Sequence, residues 1–218
     1  MSTQNLSFIH RWQPAENSDS APTLLLLHGT GGNENDLLEL GADLWPQANR
    51  LSPRGRILEN GMSRFFRRLS EGVFDEDDLK LQTDALADFV HDAAIHYGFD
   101  AARVVALGFS NGANIAASLM LLNPQVLSGA VLLRAMVPLE TPEKVDLSGV
   151  KVFLASGESD PLVPVANANR LAAVLRERGA AVTHFWQHAG HNLTSGDIEA
   201  AHQWIAEHFA RVANEPES

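Results

Sequence analysis

The run from Val104 to Ala117 constrains this chain more than any other. Val104-Val105-Ala106-Leu107 is an aliphatic stretch of strand character, and Ala113-Asn114-Ile115-Ala116-Ala117 is a small-residue stretch of helical character. Only Gly108-Phe109-Ser110-Asn111-Gly112 lies between them, in the pattern G-x-S-x-G. A strand turns into a helix over so few residues only if the backbone bends sharply. Glycines two positions either side of the serine remove side chains that would collide in such a bend. The run predicts strand, tight turn, helix, with the Ser110 hydroxyl standing at the carboxyl edge of a sheet.

The rest of the chain repeats the alternation. Leu6–Trp12 reads as an edge strand, Thr23–His28 as a buried parallel strand and Asn49–Ser52 as a short strand. Further strands are expected at Arg103–Phe109, Ser128–Leu133, Val150–Ser156 and Ala181–Gln187. Helices are expected at Asn35–Leu44, Glu76–Tyr97, Gly112–Leu122, Val165–Arg178 and Ser195–Ala210. The clearest is Glu76–Tyr97, where Leu79, Leu86, Phe89, Val90, Ala93 and Tyr97 recur at helical steps and Gly98 follows as a terminator. Strands alternating with helices imply an α/β fold, a mostly parallel central sheet with helices on both faces. The 218 residues suit one domain spanning 1–218, with 1–4 and 212–218 as frayed tails. The segment between Leu133 and Val150 is too short for a cap domain.

Composition removes several function classes. There is no cysteine, so thiolate catalysis and cysteine-ligated metal sites are excluded. The net charge of −11 repels phosphate backbones and anionic lipid surfaces, so neither nucleic-acid binding nor membrane insertion is expected. Met1–Ser20 is polar and lacks the apolar core of a signal peptide, which points to a cytoplasmic protein. Against the acidic trend, Arg54, Arg56, Arg64, Arg67 and Arg68 crowd one stretch. That stretch is either a solvated loop laced with ion pairs or a positive rim near a substrate entrance.

Around Ser110 the remaining parts of a nucleophilic centre can be named. A serine hydroxyl is a weak nucleophile and needs a neighbouring base, and an imidazole base needs a carboxylate to orient it. After the strand Val152–Ala155 comes Gly157-Glu158-Ser159-Asp160-Pro161, which offers Asp160, with Glu158 as its rival. After Phe185-Trp186 comes His188-Ala189-Gly190-His191, which offers His191 ahead of His188 and His184. The order serine, acid, histidine is the one parallel-sheet hydrolases use. His28-Gly29-Thr30-Gly31-Gly32 follows the strand Thr23–Leu27 and brings backbone close to the serine. The backbone N–H groups of Thr30 and Asn111 are the expected oxyanion hole. His28 is read as a brace for its loop. No G-K-[ST] or G-x-G-x-x-G accompanies these glycines, so a phosphate cradle is not supported, and no metal-ligand spacing is evident.

With Leu24-Leu25-Leu26-Leu27-His28-Gly29, Gly108–Gly112, Gly157–Asp160 and Gly190-His191 assembled, the chain resembles the phospholipase/carboxylesterase family of α/β-hydrolases, which includes acyl-protein thioesterases. Glu59-Asn60-Gly61-Met62, Arg64-Phe65-Phe66-Arg67-Arg68 and His28–Gly32 are more closely similar to small bacterial carboxylesterases linked to hydroquinone resistance. The resemblance spans most of the chain. It implies an α/β-hydrolase fold, a cofactor-free and metal-free enzyme, a small-molecule ester substrate and a Ser110–Asp160–His191 triad. A homodimer is compatible with it. Acyl-protein thioesterases usually carry Gln after the nucleophile and a further pair of glycines, where this chain has Asn111 and Gly112-Ala113. That departure points away from long-acyl thioesters. The Asn60–Phe66 segment is then expected beside the pocket, with Phe65, Phe66 and Arg67 as substrate contacts, although two aromatics could equally anchor the loop to the core. Hydrolysis of short-chain or aryl esters leads, ahead of a lysophospholipase or thioesterase and of an idle binding module on the same fold.

Overall fold

The computed structural model describes residues 6–140 and 145–209. Its elements in chain order are β1 (His10–Gln13), β2 (Thr23–Leu27), α1 (Leu38–Leu44), β3 (Asn49–Pro53), β4 (Ile57–Glu59), β5 (Met62–Arg64), β6 (Arg68–Ser70), β7 (Val73–Phe74) and α2 (Glu76–Tyr97). They continue with β8 (Val104–Phe109), α3 (Asn111–Leu122), β9 (Gly129–Leu133), β10 (Lys151–Gly157), α4 (Val165–Glu177), β11 (Ala181–Gln187) and α5 (Ser195–His208). The expected tails 1–4 and 212–218, and the last position of the Ser195–Ala210 helix, lie outside the described residues.

Seven strands form one sheet in the order β1-β3-β2-β8-β9-β10-β11. Among the described residues of this sheet only the edge strand β1 runs antiparallel, against β3. This is the α/β-hydrolase arrangement, and no cap domain covers it among the described residues. The central strands are buried along their whole length: β2, β9 and nearly all of β8 expose nothing. Such strands must be apolar on both faces, so they read as continuous runs. One face packs Leu25, Leu27, Ala106 and Leu154 against α2 and α3, and the other packs Leu24, Leu26, Val105 and Phe153 against α5 and the segment around Trp45.

Three expectations shift. The edge strand is His10–Gln13 rather than Leu6–Trp12, because only these residues pair with β3. Helix α1 begins at Leu38, since Asn33 and Asn35 close turns before it: the Asn33 side chain accepts from the Asn35 N–H at 2.9 Å, and the Asn35 carbonyl accepts from the Leu38 N–H. The 54–74 stretch is not an open loop but two small hairpins, β4–β5 and β6–β7. The first turns on Asn60-Gly61, both at positive φ (52° and 82°), the dipeptide best suited to a two-residue hairpin. No helix among the described residues is long and apolar enough to cross a membrane.

Candidate active site

The bend at Ser110 is as tight as the sequence demands. Ser110 sits at φ 52°, ψ −113°, a conformation that non-glycine residues rarely adopt and that typically stores about 1–3 kcal/mol. The backbone passes so close to its neighbours that a Cβ on Gly112 would lie 1.9 Å from the Leu27 carbonyl oxygen, and one on Gly108 would lie 2.6 Å from the Gly112 carbonyl oxygen. The Ser110 N–H donates to the Leu133 carbonyl, which ties the bend to β9. Helix α3 starts at Asn111, so its positive end lies directly behind the serine.

His191 and Asp160 arrive from the loops beyond β11 and β10. His191 Nε2 lies 2.9 Å from Ser110 Oγ, and His191 Nδ1 lies 2.8 Å from Asp160 Oδ2. The Asp160 side chain is fully buried and its other oxygen, Oδ1, accepts the backbone N–H groups of Leu162 and Val163 at 2.8 and 3.1 Å. A buried polar group needs such donors, and with both oxygens taken this carboxylate has one orientation. The rivals form arrangements of their own. His188 pairs with Glu158 at 2.8 Å on the exposed surface. His184 on β11 lies 3.0 Å from Ser156 Oγ on β10, and burial, with Arg176 nearby, holds its pKa down to about 4.

Thr30 and Asn111, the expected backbone donors, both line the cleft beside Ser110. The neighbouring Gly31 N–H donates to Ser63, which fixes the glycine-rich turn to β5. His28 accepts the Gly55 N–H at Nε2 and donates from Nδ1 to the Gly29 carbonyl, so it is a neutral brace, and burial lowers its pKa accordingly. Arg64 reaches the same turn and donates to Thr30 Oγ1 at 2.6 Å.

The cleft holds about 290 Å³, and Phe65, Phe66 and Arg67, the expected substrate contacts, are not among its lining residues. Phe65 and Phe66 are buried away from it, and Arg67 points outward to Asp75. The two rings anchor the segment instead: Phe65 packs on His28, Phe66 packs edge-on against Phe74, and the Phe65 N–H donates to Asn111 Oδ1 at 2.7 Å. Its lining includes the apolar Phe74, Phe109, Met136, Leu162 and Val163 and the charged Arg64, Arg68 and Glu71. Members of the arginine cluster are paired, and two of them, Arg64 and Arg68, also line the cleft. Arg54 pairs with Glu34, Arg56 with Gln82 and Arg67 with Asp75, while Arg64 and Arg68 share Glu59 at the cleft. Among the described residues, no group of three or more His, Asp or Glu could hold a metal ion.

A family model for phospholipase/carboxylesterase matches residues 14–209, nearly the whole described chain. This protein belongs to the phospholipase/carboxylesterase family. It is 50% identical to MhqD of Bacillus subtilis over 192 residues, 88% of this chain and 96% of that one. The crystal structure of the Bacillus cereus carboxylesterase superimposes with a TM-score of 0.92 at 47% identity, covering 94% of this chain and 96% of that one. Acyl-protein thioesterase 1 of Cryptococcus neoformans is more distant, 28% identical over 65% of this chain and 67% of that one. As a phospholipase/carboxylesterase family member the protein is a hydrolase, and the cleft over Ser110 is its candidate active site.

Proposed function

We propose that this protein is a serine carboxylesterase that cleaves short-chain or aryl carboxylic esters through an acyl-enzyme. The observation that carries the reading is the continuous chain Ser110 Oγ–His191 Nε2 at 2.9 Å and His191 Nδ1–Asp160 Oδ2 at 2.8 Å. Ser110 Oγ attacks the acyl carbon while His191 Nε2 takes its proton. Asp160 accepts the Nδ1–H and stabilises the imidazolium. The oxyanion is held by the Thr30 and Asn111 N–H groups and by the start of α3. Nε2 then protonates the departing alcohol. Water, deprotonated by the same imidazole, attacks the acyl-enzyme, and the carboxylic acid leaves as Oγ regains its proton.

The cleft's modest volume and its short apolar wall favour small acyl or aryl groups over long chains. A p-nitrophenyl ester series tests both points. Acetate and butyrate are expected to be hydrolysed by the native protein and not by Ser110→Ala. Equal rates in the two proteins would overturn the mechanism. The thioesterase reading is favoured by the 28% identity to acyl-protein thioesterase 1, and rates that climb steadily from short to long acyl chains would replace the esterase reading with it.

A further inference from the structure

His191 sits in the middle of a loop, and a loop is where placement is least secure. The carbonyls around it are held from two sides. On one side the Glu158 and Ser159 N–H groups donate to the carbonyls of Gln187 and Ala189. On the other stands Arg134, just past β9, which donates from Nε to the Gly190 carbonyl and from Nη2 to the Asn192 carbonyl, each at 3.0 Å. These two carbonyls flank His191 directly. Arg134 is itself locked: it pairs bidentately with Asp197 at 2.9 and 2.7 Å, and both side chains are wholly excluded from solvent. Asp197 in turn accepts the Thr194 N–H and hydroxyl in the capping box that starts α5. The Arg134 backbone is held at φ 59°, and its N–H donates to the Ala155 carbonyl on β10.

An ion pair this deep adds little stability over well-packed apolar residues, because desolvation offsets most of its attraction. Its distinctive property is the planar fork, which can hold two carbonyls and one carboxylate in fixed relation. We propose that Arg134 is a positioning residue for the reaction. Braced by Asp197, it sets the height and tilt of the His191 loop so that Nε2 meets Ser110 Oγ. The inference rests on the serine-esterase reading above. A loop displaced by about 1 Å loses catalysis by up to a hundredfold while leaving binding intact.

Two variants test it on the full-length protein. Arg134→Lys keeps the charge opposite Asp197 but lacks the fork. Arg134→Met combined with Asp197→Asn removes the charge pair and retains an acceptor for the Thr194 cap. With folding checked by circular dichroism, each folded variant is expected to lose kcat tenfold to a hundredfold on p-nitrophenyl butyrate. KM is expected to stay within about twofold, and Ser110 is expected to react more slowly with a fluorophosphonate by the same factor. The low-field Nδ1 proton resonance of His191 is expected to broaden or vanish. A folded variant with native kcat and an unchanged Nδ1 resonance would overturn the proposal. If one variant does not fold, the other decides. Ser110→Ala and His191→Ala run alongside: native rates in them would sink the esterase reading itself, whereas their inactivity beside an unimpaired Arg134 variant would sink the clamp alone.

Discussion

Replacing Gly112 with alanine adds one methyl group at the place where the bend at Ser110 meets the end of β2. Alanine is the better helix former by about 1 kcal/mol, so propensity alone predicts stabilisation at this first turn of α3. The structure predicts the opposite. The new Cβ would lie 1.9 Å from the Leu27 carbonyl oxygen and 2.6 Å from that of His28, both of them backbone atoms that cannot rotate aside. Separation must grow by about an ångström before the contact is tolerable, and overpacking of this kind typically destabilises by about 1–3 kcal/mol, sometimes more. The steric effect therefore wins. The movement also separates the Asn111 N–H from the Thr30 N–H, since one rides on α3 and the other follows β2. A misplacement of that size lowers kcat by about a hundredfold. Urea denaturation with p-nitrophenyl butyrate kinetics reads both effects. Gly61→Ala is the control: its φ is 82° but nothing lies within 4 Å of the added atom, so it should lose only about 1 kcal/mol and keep native kcat. A Gly112→Ala protein with native stability and native turnover would refute the close approach on which this reasoning depends.

Phe66 and Leu162 separate support from lining. Phe66→Ala empties a fully buried site and should destabilise by about 3–5 kcal/mol, whereas the half-exposed Leu162→Ala should barely move the melting temperature yet raise KM for butyrate esters; a higher KM at unchanged stability for Phe66→Ala would contradict this. His184 makes stability fall with acid. Its folded pKa is held to about 4 against an ordinary 6.5, so below 6.5 the unfolded chain binds the extra proton first. The contribution is complete above 6.5 and is lost as pH falls toward 4, with His28, also lowered by burial, acting in the same direction. Melting temperatures from pH 7 to 4 should decline less steeply in His184→Gln, and a parallel decline would remove His184 from the account.

Much of this protein is legible locally. The bend at Ser110 follows from glycine spacing and its flanking runs, because a strand and a helix joined so closely admit one backbone path. Helix α2 follows from its apolar period, and the buried strands from their unbroken aliphatic runs. The order of Ser110, Asp160 and His191 along the chain is likewise a property of sequence. The Asn60-Gly61 turn carried a hairpin signal that the flanking residues, with no strict alternation, did not amplify.

Tertiary structure decided what surrounds that centre. Phe65, Phe66 and Arg67 are adjacent to Arg64 and Arg68, yet the first two go to the core, the third to solvent, and the last two to the cleft. No period predicts that, because the segment is an irregular link between hairpins whose direction is set by Asn111 Oδ1 on another element. Phe74, Met136, Leu162 and Val163 meet only because three separate segments, β7 and the stretches after β9 and β10, end at the same cleft. Arg134 reads in sequence as a charge after a strand, and becomes a buried clamp only when Asp197, far along the chain, arrives to neutralise it. Local sequence dictates backbone paths through sterics and periodicity. Which side chains share a cavity is settled by long-range packing, where the burial of charge and ring area is negotiated between distant segments.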